Sequence, residues 1–472
     1  MHSKLNSTQF GEPLSKESIT LIQQVRQKLT YPINPNFNTD FNIYRFVANA
    51  ERNFKTKMEV VENAAKALSM HLRVRKCFDL DELPDIPFEK NPIFIERLMP
   101  MSPILENATD SFNRLLWFVE YKSLNVEAIA NGIRSSESIK FQFWQFEHML
   151  KLVNRQEELT GRLSSIRHVI DMTGYEINPF TMLFVSSGTL SYYSQLLHYD
   201  NYPDLVYPIE MVNIAKWIYI PYRLIKSMMP VGFVDRFRLH DANFLENLCM
   251  EINLDYIPHS LGGQNQARKF VSIYCVPMQH STQNWQPMEP RVLNHLEHLS
   301  LGPRKYKFLK IQIDPNTAKK HFLSWYFRTD GIIQFGVFFE PLRNERKENK
   351  QNGKYLNGHN NGITIPTAGT RPSIEYFENN MEWVYMWFKL TAKIHHEWDS
   401  VECTHPGIYW IIFSNCHSWI HKRYAEVIIQ LAGEENGQTN IKRIWHDKRE
   451  EVNNNLEDYE DLRKIFQMKI KN

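Results

Sequence analysis

"HVIDM", His168 to Met172, is a short apolar and β-branched run closed by the turn pair Thr173-Gly174, and it reads as one buried strand. A second such run, "IEMVNIA" from Ile209 to Ala215, follows, and the residues between them carry a helix of about four turns from Phe180. Strand, helix, strand predicts an α/β sheet. Neither GxGxxG nor GxxxxGK[ST] follows either strand. The nearest candidate, "SSGT" at Ser186–Thr189, is too short and lacks the lysine, so nucleotide binding has no support.

Further along the chain the period changes. In "KFLKIQI", Leu309, Ile311 and Ile313 alternate with Lys310 and Gln312. "LSWYFRTDGIIQFGVFF" carries Trp325 and Phe327, an Asp330-Gly331 turn, then Ile333, Phe335, Val337 and Phe339 at period two, which reads as a hairpin. "GIYWIIFSNCHSWIHKRYAEVIIQLAG" adds two strands around a Ser414-Asn415 turn. Strands grouped without a helical crossover predict an antiparallel β-sandwich. The Asn/Lys/Gly-rich interval from Asn344 to Gly362 is nearly free of apolar groups and reads as a long loop between strands.

Towards the N-terminus, the segment from Ile43 to about Asp79 is helical in period, with Val61, Ala64, Ala65, Leu68 and Leu72 at spacings of three and four. The prolines of "ELPDIPFEKNP" end it. At the other end, Gly433 to Asn472 is heavily charged in both signs and reads as an appended helix or tail.

The whole chain sets limits on partners. Its 472 residues, 43% hydrophobic and 13% aromatic, suffice for several cores. Lys plus Arg is 55 and Asp plus Glu 53, a net charge of +2 that argues against a constitutive grip on nucleic acid. The opening "MHSKLNSTQFGEPLSKES" has no apolar signal region, and no run of about 18 apolar residues occurs, so a cytosolic protein is expected. Cys77, Cys249, Cys275, Cys403 and Cys416 are scattered without a CxxC pair and are expected to be buried reduced thiols, which makes the sequons at Asn6 and Asn107 chance matches.

"PYRLIKSMMP", Pro221 to Pro230, is the stretch with the sharpest functional pattern. As a helix it stacks Leu224 over Met228 and Ile225 over Met229, with Arg223 and Lys226 beside those apolar rows. Unbranched methionines suit a surface that faces different partners in different states, and the flanking cations suit anionic headgroups. The plain alternative is ordinary core.

The stretch from Asn201 to Gly263, "NYPDLVYPIEMVNIAKW…IPHSLGG", resembles the C-terminal half of a CRAL-TRIO lipid-binding domain, and "VIDMTGYE" resembles that family's central strand and turn. "IYRFVANAERNF" resembles its helical N-terminal module more loosely, while "LSWYFRTDGIIQFGVFF" and "WDSVECTHPGIYWIIFSNCHSWIHKRYAEVIIQ" look like the two ends of a GOLD domain. The order helical module, CRAL-TRIO, GOLD is similar to that of the supernatant protein factor and tocopherol-associated protein family. The resemblance implies a multidomain fold: tail and helical module over 1–95, an α/β lipid cage over 96–275, a linker over 276–300, a jelly-roll-like sandwich over 301–432 with a polar insertion at 341–372, and a charged tail over 433–472.

The resemblance also implies roles. Tyr222, Leu224, Ile225, Met228 and Met229 would form a gate helix over an apolar cavity, with Arg223 and Lys226 at the membrane. Family members that bind phosphatidylinositol place an acidic residue after "YP" and a lysine after the gate; here those positions hold Asp204 and Arg236, same in sign but changed in residue, and Arg52 falls on a further basic head-contacting position. On the residues alone, Asp204 and Arg236 read equally well as solvated surface charges. The expected ligand is one phospholipid such as phosphatidylinositol, or a tocopherol- or isoprenoid-like molecule, with no other cofactor. A buried tail of about sixteen carbons is worth about 13 kcal/mol against water at ~0.8 kcal/mol per CH₂ but almost nothing against a bilayer, so selectivity falls to cavity shape and a few polar groups. The partners implied are lipid, a transient membrane surface in the cytoplasm or at the Golgi, and a protein bound through the GOLD domain.

Two other classes have weaker signals. "HHEWDSVECTH" gathers His395, His396, Glu397, Asp399, Cys403 and His405, but it has no HExxH and its adjacent histidines would point to opposite faces of a strand, so neither a metal nor an enzyme is expected. No GxSxG elbow occurs, and Ser186 and Ser187 read as helix-packing residues. The alternative to a transfer protein is a lipid-regulated scaffold in Golgi trafficking or signalling; an exposed Trp410 or Trp419 would favour it, though both read as core. The insertion between Glu340 and Arg371 carries Arg343, Arg346, Lys347, Lys350, Lys354 and Arg371 against Glu340, Glu345 and Glu348, a net of +3 that reads first as a solvated loop.

Overall fold

A computed structural model describes residues 8–84, 104–120, 134–174, 200–215, 219, 222–223, 234–240, 242–266, 296–313, 321–341, 372–393, 396–435 and 438–444. The chain divides into two compact units, Met1–Gln286 and Pro287–Asn472.

The first unit opens with three helices, α1 (Lys16–Lys28), α2 (Asp40–Asn53) and α3 (Lys57–Cys77). Each starts on a hydroxyl side chain, Ser15, Thr39 or Thr56, that accepts from a backbone N–H of the first turn. At Thr56 the cap is reciprocal, because Glu59 reaches back to the Thr56 backbone N–H, an arrangement worth about 1 kcal/mol. The helical segment expected from Ile43 to Asp79 is therefore two helices broken at residues 54–56, and α1 is an addition to it. Val61, Ala64, Ala65, Leu68 and Leu72 are all buried, as their spacing requires.

A five-stranded sheet follows, with strands β1 (Leu105–Thr109), β2 (Leu115–Glu120), β3 (Ile166–Asp171), β4 (Val206–Val212) and β5 (Phe237–Leu239) in the order β1-β2-β3-β4-β5. β1 and β2 pair antiparallel; the other neighbours are parallel. The crossover from β2 to β3 contains α4 (Ser135–Thr160). Both expected strands exist, though β4 starts at Val206 and ends at Val212. One sheet face carries Leu116, Phe118, Val169 and Val212 against Leu248, Ile252, Ile257 and Leu261, the first of which lies in α5 (Phe244–Cys249). Alternation puts Trp117, His168 and Ile170 on the other face.

The second unit is built from two antiparallel sheets. One has the order β10 (Glu382–Thr391), β9 (Ile332–Pro341), β12 (Gly407–Ser414), β7 (Tyr306–Ile313). The other runs β11 (Glu397–Cys403), β8 (His321–Thr329), β13 (Arg423–Glu435), β14 (Gln438–Ile444), with β6 (Glu297–Leu301) also on β13. Aromatic side chains fill the space between them: Trp325 and Phe327 of β8 meet Phe335 of β9 at 5.4 and 4.8 Å, and Phe327 meets Phe413 of β12 at 5.3 Å. A short helix, α6 (Ile374–Asn380), precedes β10.

Three expectations need correction. β8 and β9 are not a hairpin: Asp330-Gly331 carries the chain from one sheet to the other, and neither residue has the positive φ that a tight primed hairpin turn requires. The segment after Gly433 is not wholly a helix or tail, since β13 continues to Glu435 and β14 pairs back on it through Ile444. Of the cysteines, Cys403 is buried but Cys249 is exposed. The helix expected from Phe180 and the loop from Asn344 to Gly362 lie outside the described residues.

Candidate functional site

The turn Asn201–Asp204 that leads into β4 is planted on two helices. Tyr202 is buried, and its hydroxyl donates to Glu147 Oε1 of α4 at 2.6 Å. Glu147 also accepts from Arg75 of α3, and His71 lies edge-on to Tyr202 with its Nδ1 donating to Asn201 Oδ1 at 3.2 Å. Burial, then the neighbouring Arg75, pushes the His71 imidazole down to about 3, so it is neutral and donates from Nδ1.

On this platform Asp204 sits at φ 58°, the left-handed region that aspartate tolerates better than most residues. Arg52, in the last turn of α2, grips its carboxylate at two points: Nη1 donates to Oδ1 at 2.8 Å and Nη2 to Oδ2. Arg236, just before β5, brings Nη2 to 3.6 Å from Oδ1. Burial alone would raise the Asp204 carboxyl, but Arg52, with Arg236 and Arg45, outweighs it and holds the group below the usual carboxylate range. The Asp204 and Arg236 side chains are 5% and 6% exposed and that of Arg52 is 32% exposed, so Arg52 forms the solvent side of the cluster.

The structure thus brings together Asp204, Arg236 and Arg52. The view of Asp204 and Arg236 as solvated surface charges is overturned, because both are buried ion-pair partners. Of the gate stretch, Tyr222 is half-buried and Arg223 exposed, and burial followed by Asp235 raises the Tyr222 hydroxyl. Leu224, Ile225, Lys226, Met228 and Met229 lie outside the described residues.

Two features of the sheet escaped the sequence reading. The first is a buried ionic network on the face that carries Val169. Arg167 is almost fully buried, with Nη2 2.6 Å from Glu210 Oε1 and Nη1 donating to Asp110 Oδ2 at 3.2 Å and to Glu251. Arg114 ties the same acids together through Asp110 at 2.6 Å and Glu251 at 2.8 Å. Arg238 and His240 complete the shell around Glu210, whose carboxyl is raised by burial but brought below the usual range by His240, Arg167 and Arg238. The only sequence signal was an arginine inside the apolar run "IRHVID". The second is His168, on the opposite face, stacked on Trp117 at 3.9 Å between ring centroids. Burial pushes its imidazole down to about 3, and among the described residues its buried Nε2 has no hydrogen-bond partner.

In the second unit, His396 bonds the Tyr326 hydroxyl and Asp399 accepts from the Tyr385 hydroxyl at 3.0 Å. Among the described residues no group of three or more His, Cys, Asp or Glu is placed to hold a metal ion. Trp410 is buried as expected; Trp419 is not, being 75% exposed. No described helix is long and apolar enough to cross a membrane.

Comparison with known proteins gives this geometry its context. Residues 104–263, which hold the five described strands of the first unit and both Asp204 and Arg236, match the model of the CRAL/TRIO domain. This stretch of the chain is a CRAL-TRIO domain. CRAL-TRIO domains in general bind and transfer lipids, which is consistent with a lipid partner for this one. Residues 14–83, spanning α1 to α3, match a separate domain model of unknown function, DUF8435, so Arg52 reaches the CRAL-TRIO carboxylate from outside that domain's matched span. Over 431 residues, 90% of this chain and 93% of the relative, the chain is 20% identical to CRAL-TRIO domain-containing protein F28H7.8 of Caenorhabditis elegans. Among solved structures it is similar to Sfh5, at 13% identity and a TM-score of 0.34 over 57% of this chain and 93% of that one.

Proposed function

We propose that the first unit is a cage that takes up a single lipid at a membrane, with phosphatidylinositol as the preferred class, and carries or presents it. The observation that carries this reading is the convergence of Arg52, Asp204 and Arg236, from three segments far apart in sequence, on one ion-paired cluster with Arg52 towards solvent. Two guanidiniums share one buried carboxylate, with the Arg52 side chain 32% exposed, and a phosphate is the group that a guanidinium fork fits best. On the other side of the sheet core, the open Nε2 of His168 offers a hydrogen bond to a ligand hydroxyl or carbonyl, which would suit a tocopherol- or isoprenoid-like molecule equally. Tyr222 through Met229 is proposed as the gate, with Arg223 and Lys226 meeting headgroups.

In the second unit, the two antiparallel sheets support a GOLD-type sandwich, whose role would be docking, at the Golgi or elsewhere on the cytoplasmic face of membranes. The alternative, a lipid-regulated adaptor, would use the same cage as a sensor.

Native mass spectrometry of the whole chain, with organic extraction of its cargo and vesicle-to-vesicle exchange, tests the reading. Bound phosphatidylinositol, lost on Arg236→Ala, is the expected result. A neutral isoprenoid would remove the headgroup role, and a chain that neither carries nor exchanges lipid would overturn the cage altogether.

A further inference from the structure

The connection between β12 and β13, residues 415–422, is rigid at its base and open at its tip. Asn415 Nδ2 donates to the carbonyls of Leu301, Gly302 and His421 at 3.1, 3.2 and 2.8 Å. The Arg304 backbone N–H donates to the carbonyls of Asn415 and Ser418, and Ser418 Oγ donates to the His421 carbonyl at 2.9 Å. Two large apolar side chains project from this frame side by side: Trp419 is 75% and Ile420 81% exposed. A single exposed apolar residue is ordinary, but an adjacent pair on a pinned loop is not explained by the core of the sandwich.

The surrounding charge is one-sided. Residues 302–305 and 415–423 contain Arg304, Lys305, Lys422 and Arg423 and no acidic residue. The Arg304 guanidinium lies 3.3 Å from the centroid of the Trp419 ring, and Lys422 Nζ lies 4.9 Å from that of Tyr424, which is half exposed. The acid at the base, Asp330, has its Oδ1 engaged by the Tyr424 backbone N–H at 2.9 Å.

We propose that Trp419 and Ile420 form a membrane-docking tip that enters the interface of an anionic bilayer while Arg304, Lys305 and Lys422 contact headgroups. Indole is the side chain best suited to the headgroup level, and apolar residues ringed by cations are how a surface segment reads an anionic leaflet. A protein partner fits less well, because two side chains on one loop fall far short of the ~800 Å² per partner that a stable protein interface buries. Docking by this tip requires no cargo in the first unit, so it stands or falls separately from the cage.

The test is co-sedimentation of the full chain with phosphatidylcholine vesicles, with and without phosphatidylserine. The wild type is expected to bind the phosphatidylserine vesicles in a salt-sensitive way. The variant Trp419→Ala with Ile420→Ser should bind them at least about tenfold more weakly, and Arg304→Gln with Lys422→Gln should flatten the salt dependence. Unchanged thermal unfolding establishes that the exposed substitutions leave the fold intact. Equal vesicle binding by wild type and the apolar double variant, or no vesicle binding by the wild type, would overturn the proposal. So would a defect of the variant confined to a protein complex. Wild-type docking without lipid exchange would sink the cage and leave the tip; exchange of micelle-delivered lipid by a variant that no longer docks would support both.

Discussion

Arg52 and Asp204 lie 152 residues apart and are joined by a two-point guanidinium–carboxylate pair across the boundary between the N-terminal helices and the CRAL-TRIO domain. Removing the arginine leaves a buried carboxylate with Arg236 as its nearer remaining partner. Arg52→Ala should therefore cost about 1–3 kcal/mol in urea unfolding, and Asp204→Ala should cost more, because it removes the carboxylate that Arg52 and the buried Arg236 share. Arg52→Lys keeps the charge but not the fork and should fall between wild type and Arg52→Ala. The opposite ranking would mean that the cluster does not organise the site.

Arg167 anchors the acids of the sheet. Arg167→Met should destabilise the first unit by about 3–5 kcal/mol, since Asp110 and Glu210 would stay buried with part of their compensation gone. Denaturant midpoints measure this; a loss under about 1 kcal/mol would show that water or rearrangement replaces the arginine.

His71 and His168 are buried neutral imidazoles held near 3, against about 6.5 in the unfolded chain. The unfolded state thus binds more protons between those values, so the stability they contribute is complete above about pH 6.5 and declines as pH falls towards 3. Each should cost about 2 kcal/mol between pH 6.5 and 5.0. Comparing unfolding free energies at the two pH values checks the sign, and His168→Gln should reduce the slope.

Gly263 is closed in by backbone: a Cβ there would lie 2.0 Å from the Ile257 carbonyl oxygen. Gly263→Ala should cost about 3 kcal/mol, at the upper end of overpacking effects. Gly161, which ends α4 at φ 66° with nothing within 4 Å of its would-be Cβ, is the control, and Gly161→Ala should cost only the left-handed penalty of about 1 kcal/mol.

For the proposed gate, Leu224→Asp with Met228→Asp should abolish lipid exchange while leaving the unfolding transition in place. Exchange at the wild-type rate would remove these residues from the gate.

Period and punctuation in the sequence determined the local elements. "HVIDM" and "KFLKIQI" are strands, the 43–79 segment is helical, and Val61 to Leu72 are core, because alternation and three-to-four spacing specify which side chains share a face. The resemblance carried by Asn201–Gly263 singled out Asp204 and Arg236, and the looser one carried by "IYRFVANAERNF" singled out Arg52, before their contacts with one another were visible. What only the tertiary structure decided was who meets whom. Period two made β8 and β9 strands but did not choose their partners, and packing Trp325 and Phe327 against Phe335 sent them to opposite sheets. Asp204 and Arg236 read equally well as surface charges until the fold buried them together, and Trp419 read as core until the loop held it out. Local pattern reports the conformation of a segment; pairing and burial depend on contacts between segments that have no counterpart in the spacing of either one.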